Sequence, residues 1–382
     1  MMTPLQKLTT FSLFYIMFFS LIIKETLHIT TPTILFTMTA SISFIILNLV
    51  YNQKLIKYQV VLSLLSLLLL SLSFYIWNNI YAINLYLAII TATIIYNMDK
   101  SLFKKLLLIA LVIQTLLQIY EFLTLKYIFD YTLIKGDIEF TMSLDNLSFF
   151  RGKGLFPGAL TAGSFAIYMA FIFRKNPYVL LLAFTSASLA STRLSVLTVF
   201  VIILLFIFQN NSIKIKYKIY FISTIILLVL LIVSLNSSEF INRLQNFADF
   251  NSDTNSLRIY YWTSGLYEFT QYPLINILLG KSNYFATIYG NSAESDWIML
   301  LLETGIIGFL LYLIPIFSII ILSLAKQKYY LFLLILLWCI DIFLYRHISG
   351  IVSNVLHWYL LYDILDELNL KRKMKNEKSI SS

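Results

Sequence analysis

Charged side chains are scarce: only 12% of the 382 residues, against 59% hydrophobic, with a mean hydropathy of +0.81. A soluble domain of this size cannot be covered with so little charge, so the composition excludes that class. Cysteine is almost missing. The one residue, Cys339, lies inside an apolar run, which excludes a disulfide framework and a paired-cysteine redox motif. The three histidines (His28, His347 and His357) are scattered, which argues against a histidine-rich metal site. The first apolar run, residues 8–23, lacks a small-residue cleavage motif and reads as a retained span. No internal repeat is visible, and there is no low-complexity tract beyond the apolar runs.

What the chain has in abundance is apolar runs approaching 20 residues, the length that a hydrocarbon core about 30 Å thick demands of a helix. Twelve are expected: 8–23, 33–50, 59–77, 80–96, 106–125, 155–173, 178–190, 194–208, 219–235, 297–322, 329–344 and 349–365. The expected fold is therefore all-α. It is a single polytopic membrane domain over 1–382, with about 12 transmembrane helices. A smaller outer loop (126–154), a large extracytoplasmic loop between spans 9 and 10 (236–296) and a basic cytoplasmic tail (366–382) complete it.

The net charge of +9 is no signature of nucleic-acid binding here. With the N-terminus in the cytoplasm, every inner loop is basic: Lys54 and Lys57; Lys100, Lys104 and Lys105; Arg174 and Lys175; Lys214, Lys216 and Lys218; Lys326 and Lys328; then the tail from Lys371 to Lys378. That is the positive-inside pattern of a multi-pass protein with both termini in the cytoplasm. Reading 178–208 as one long helix would place Lys214, Lys216, Lys218, Lys326, Lys328 and the tail outside. The charge pattern therefore favours a break at Ser191-Thr192-Arg193.

The arginines do not follow the lysines. Five of seven (Arg151, Arg193, Arg243, Arg258 and Arg346) fall outside, and only Arg174 and Arg372 inside. Topology is indifferent to which cation is used, but a bidentate grip on phosphate is not, because only guanidinium presents a planar fork. The outer face thus looks built for phosphate or pyrophosphate. Headgroup anchoring or salt bridges within the loops are the plainer readings of the same set.

Four motifs carry the remaining chemistry. Arg151-Gly152-Lys153-Gly154-Leu155-Phe156-Pro157-Gly158 offers close backbone approach and free N–H groups at a helix entry, a natural anion site, or simply a flexible entry. Arg193 sits between two short spans, where an ionisable residue is a functional candidate by default; a solvated turn is the alternative. Arg258, Trp262, Leu266 and Phe269 recur at helical spacing after Asn255 or Ser256 as cap, which predicts an amphipathic helix at the membrane surface. Glu294 and Asp296 lie just outside a span whose early turns carry Glu303. A carboxylate there can act as general base toward a sugar hydroxyl, or can stabilise the helix N-terminus. Within the spans, Asp341 reads as a hydrogen bond inside the bundle.

At these residues the chain resembles the O-antigen ligase and polymerase superfamily, including Wzy-type polymerases of O-antigen, capsule and exopolysaccharide. The resemblance covers about 151–308. It rests on Arg151 with Pro157, Ser191 to Arg193, Arg258 with Trp262, Pro273 with Gly280, and Ala293 to Gly308, the last containing Glu303, Gly305 and Gly308 in a Glu-x-Gly-x-x-Gly pattern. The ligase histidine position holds Glu294, which favours a polymerase over a ligase acting through that histidine. The Ile/Asn/Lys/Tyr-rich composition suggests a low-GC bacterium, and with it a capsular or exopolysaccharide product.

The resemblance implies a glycosyltransferase of the bacterial plasma membrane. It would join undecaprenyl-pyrophosphate-linked oligosaccharide repeat units at the outer face, with no metal and no cofactor. Arg151, Arg193 and Arg258 would bind pyrophosphate, and Glu294 or Asp296 would act as base. The implied partners are the lipid-linked oligosaccharide, the bilayer, and the flippase and chain-length regulator of the same pathway. A ligase transferring finished glycan to another acceptor is the alternative. A flippase or secondary transporter also has about 12 spans, but the 61-residue outer loop and the lack of related halves argue against both.

Overall fold

The computed structural model describes residues 7, 10, 13–14, 57–77, 80–129, 132–135, 138–141, 151–156, 158–209, 223, 253–290, 292–344, 348 and 351–380. The expected spans 33–50 and 219–235, nearly all of 8–23, Arg243, Arg346, Pro157 and the 236–252 part of the large loop lie outside these residues.

Every other expected span is a helix. In chain order they are α1 (Lys57–Trp77), α2 (Ile80–Thr124), α3 (Ala159–Ile172), α4 (Pro177–Leu189), α5 (Arg193–Gln209), α9 (Asp296–Ala325), α10 (Tyr329–Leu344) and α11 (Ile351–Ile380). Helix α2 joins two expected spans in one run, but Asp99 breaks it (φ −150°, ψ 80°). The Asp99 carboxylate then accepts from the Leu102 N–H (2.8 Å), capping the second half. Among the described residues, Asp99–Thr124 and Asp296–Ala325 are long and apolar enough to cross a membrane, and several shorter apolar helices accompany them.

Two departures from expectation stand out. A small antiparallel hairpin, β1 (Thr132–Lys135) with β2 (Ile138–Thr141), lies in the expected smaller outer loop; it pairs Thr132 with Thr141 and Lys135 with Ile138. The expected large outer loop, from residue 253 on, holds the helix expected around Arg258, α6 (Asp253–Thr270), and beyond expectation two more, α7 (Leu274–Leu279) and α8 (Tyr284–Tyr289). Helix α6 begins at Asp253, ahead of the start expected at Asn255 or Ser256.

The chain forms two compact units, one of Met1–Lys24, His28–Phe103 and Ser256–Ser382, the other of Glu25–Leu27 and Lys104–Asn255. In the first, lysines from two expected inner loops converge on one stretch of α11. Lys100 pairs with Asp366 (2.9 Å), Lys326 Nζ donates to the Leu368 carbonyl (2.6 Å), and Lys328 Nζ donates to the Glu367 carbonyl (2.6 Å). Lys326 caps the C-terminal end of α9, whereas Asp296 opens its N-terminal end. The lysines expected on the inner side and the candidate carboxylates thus occupy opposite ends of the same helix.

Candidate functional site

In the first unit the site is built on a break. Helix α9 is interrupted at Gly305, whose backbone (φ 63°, ψ −171°) is open essentially to glycine alone. The carbonyl of Leu302 accepts from the Lys281 N–H (2.8 Å), just beyond α7. The Glu303 carboxylate accepts from the Asn283 N–H (2.6 Å) and supports that residue's left-handed turn (φ 58°). Residues 306–325 beyond the break rise about 30 Å, enough for a bilayer on their own. The nine residues before it belong to the folded layer formed by α6, α7 and α8.

That layer has its own core. Tyr272, Phe285, Ala293, Ile298, Met299 and Leu302 are buried together, with Tyr261, Trp262, Phe269 and Tyr289 packed against them. Burial, reinforced by the Glu303 carboxylate, pushes the Tyr272 hydroxyl upward, so Tyr272 stays neutral. The inward face of α6 is not quite the expected one. Leu266 is exposed, and Gly265 is buried in its place. A Cβ on Gly265 would lie 2.7 Å from Ile298 Cγ2. Residues 258, 262, 265 and 269 are the true stripe. Hydropathy could not mark it, because its central member is a glycine chosen for close approach.

At one end of this stripe Arg258 meets Glu294. Arg258 Nε donates to Glu294 Oε2 at 2.9 Å, with the two side chains 37% and 31% exposed. Glu294 is held in a left-handed backbone (φ 53°), an uncommon state for a non-glycine residue. Its neighbours on both sides are buried, Ala293 in the core and Ser295 at the N-cap of α9, which turns Glu294 outward. Asp296, two residues on, behaves differently. It is 3% exposed, and its Oδ2 accepts from the Ile348 N–H (2.9 Å). It opens α9, ties it to residue 348, and satisfies the helix-terminus alternative.

The second unit holds Arg151 and Arg193. The helix break expected at 191–193 is present: α4 ends at Leu189, Ser191 is left-handed (φ 51°), and Arg193, partly exposed, is the first residue of α5. The Gly152 N–H donates to the Leu189 carbonyl (3.0 Å), which fastens the residue after Arg151 to the turn that carries Arg193.

The glycine segment itself differs from expectation. Its N–H groups are not free for a ligand. Glu121 Oε2 accepts from the N–H groups of both Lys153 and Gly154 (2.8 Å each), and Gln114 Oε1 accepts from Leu155 (2.7 Å). The carbonyls are taken as well: Gln114 Nε2 donates to Lys153 (3.0 Å) and Gln118 Nε2 to Gly152 (3.1 Å). The anion cradle exists, but a carboxylate of the protein fills it. Gln114, Gln118 and Glu121 were missed in the sequence. Their signal was there: three polar residues at i, i+4 and i+7 on one face of an otherwise apolar span.

Among the described residues, no cluster of three or more His, Cys, Asp or Glu side chains could hold a metal ion. No curated protein matches the chain. Residues 178–313, which include Arg193, Arg258, Glu294 and Asp296 but not Arg151, match the family model described as O-antigen ligase. Over that segment, less than half of the chain, the protein is similar to the O-antigen ligase and polymerase superfamily.

Proposed function

We propose that the protein is a multi-pass glycosyltransferase of the bacterial plasma membrane, with both termini cytoplasmic and about 12 spans. It polymerises undecaprenyl-pyrophosphate-linked oligosaccharide repeat units into capsular or exopolysaccharide at the outer face. The observation that carries this reading is the Arg258–Glu294 pair. A guanidinium and a carboxylate lie side by side, partly open to solvent, on a helical layer outside the long apolar part of α9.

The pair suggests how the two roles connect. An ion pair this exposed contributes on the order of 1 kcal/mol or less. A pyrophosphate, with more charge and several acceptor oxygens, competes for the guanidinium. Donor binding at Arg258 therefore releases the Glu294 carboxylate at the moment it is needed. Glu294 accepts the proton of the acceptor sugar hydroxyl as that oxygen bonds to the anomeric carbon of the growing chain. The anomeric C–O bond to pyrophosphate breaks, and the leaving group departs with the electron pair. Arg258 takes up the charge that develops there, and Arg193 and Arg151 are further pyrophosphate-binding residues of this proposal. Holding two lipid-linked chains in line supplies much of the rate. Asp296, buried against Ile348, is assigned to structure instead of proton transfer.

Transfer of finished glycan to a different acceptor is the second reading, favoured by the description of the matching family model. A deletion strain separates the two. Single repeat units on lipid carrier at the outer face, with no long polymer, mean a polymerase. Long polymer retained on its carrier means a ligase. Units trapped at the inner face mean a flippase and sink both.

A further inference from the structure

The segment between Arg151 and Leu155 is bonded on almost every backbone group, and the partners are side chains. Gln114, Gln118 and Glu121 supply five of these bonds from one face of α2. A sixth, from Gly152 to Leu189, ties the segment to α4. The ladder is itself braced, because Ser186 of α4 donates to Gln118 Oε1 (2.7 Å) and the Ile128 N–H donates to Glu121 Oε1 (3.2 Å). The glycines serve the same contact. A Cβ on Gly154 (φ +54°) would overlap the Gln114 carboxamide, and one on Gly152 would press on Gln118 Cβ at 3.2 Å.

Satisfying polar backbone buried away from water explains why some partners are present. It does not explain a carboxylate. Glu121 is fully buried, and burying a charge is expensive unless it is tightly bonded. A neutral side chain could meet the same need more cheaply. Two N–H groups on one carboxylate oxygen make a stiffer junction, and that junction lies two residues from Arg151.

We propose that Gln114, Gln118 and Glu121 are positioning residues. They hold the strap 152–155 in one conformation and so set the direction in which the Arg151 side chain leaves it. The consequence for function rests on the reading of Arg151 as a pyrophosphate-binding residue.

The test has two readouts on the full-length membrane protein. In a Cys339→Ser chain, a nitroxide label is placed at Arg151→Cys, and its mobility is measured with Gln118→Ala, Glu121→Gln or Ser186→Ala added. A label that is immobile in the parent and mobilised by these changes is expected, with the smallest effect for Ser186→Ala, which leaves the strap's own bonds in place. Unchanged mobility in both Gln118→Ala and Glu121→Gln overturns the proposal. Separately, repeat-unit joining is compared, per unit of folded protein, in Gln118→Ala with and without Arg151→Ala. Misplacing a binding group costs about tenfold to a hundredfold, so a loss of that size is expected only while Arg151 is present. A full further loss in the Arg151→Ala background overturns positioning through Arg151. A mobilised label together with undiminished joining in Arg151→Ala upholds the strap and removes Arg151 from the pyrophosphate site.

Discussion

Gly280 and Gly305 touch backbone to backbone. A Cβ on Gly280 would overlap the Glu303 carbonyl carbon and the Thr304 nitrogen; one on Gly305 would overlap the Leu278 carbonyl and come 2.5 Å from Gly280 N. Both have positive φ, +78° and +63°. This contact docks the helical layer of α6, α7 and α8 onto the broken end of α9, and Arg258 and Glu294 meet at that layer.

Gly305→Ala should therefore be far more damaging than an ordinary glycine substitution. Its backbone state alone costs an alanine about 1–3 kcal/mol, before any overlap with Leu278. Gly290 is the internal control. It also has positive φ (+68°), but a Cβ there meets nothing within 4 Å. Gly290→Ala should cost only about 1–2 kcal/mol. Thermal melting of the two purified variants checks the ranking. Equal losses would mean that the 280–305 contact does not hold the layer.

Much of this was legible in the sequence. The nine expected spans that fall among the described residues are all helical, because runs of apolar residues closed by lysines leave little choice. The break at 191–193 was legible from charge alone. The Arg258–Glu294 contact was not, since 36 positions separate the two and no local pattern links them. The break inside α9 was hidden for a different reason. Gly305 lies in an apolar run that reads as one continuous span, and only its meeting with Gly280 shows that the helix stops there. The strap was misread because glycine spacing reports that backbone is approachable. It does not report what approaches it, and here that is Glu121.

Asp296 and Glu294 should separate by phenotype. Removing the Asp296 carboxylate leaves the buried Ile348 N–H without its acceptor, a loss of about 1–3 kcal/mol. Asp296→Ala should thus melt earlier, and Asp296→Asn, which keeps an acceptor oxygen, should recover part of the difference. Glu294→Gln should melt close to the parent and lose polymer. A variant series in which Asp296→Asn abolishes polymer at normal stability would return Asp296 to the chemistry.

The orientation of the layer can be read with single cysteines in a Cys339→Ser chain. Thr263 on α6 and Ser101 beside Lys100 are both exposed. A membrane-impermeant maleimide added to intact cells should label Thr263→Cys at once, and Ser101→Cys only after permeabilisation. The reverse pattern would put the arginine-bearing layer in the cytoplasm and end the argument for an outer-face reaction.

The Arg258–Glu294 pair makes the most specific demand on function. If pyrophosphate takes Arg258 from Glu294, the two residues act as a unit in one step, and their losses should not add. Arg258→Ala and Glu294→Gln should each reduce repeat-unit joining by about a hundredfold, the scale on which a single general-base or charge-stabilising contribution operates. The double variant should fall little further. Arg258→Lys keeps the charge but loses both the Nε contact to Glu294 and the planar fork, so it should resemble Arg258→Ala more than the parent. Joining rates in membranes supplied with lipid-linked repeat units, scaled to folded protein, would measure all four. Losses that multiply in the double variant would show two independent residues. Full activity in Arg258→Lys would reduce Arg258 to a simple cation and leave Glu294 without its release.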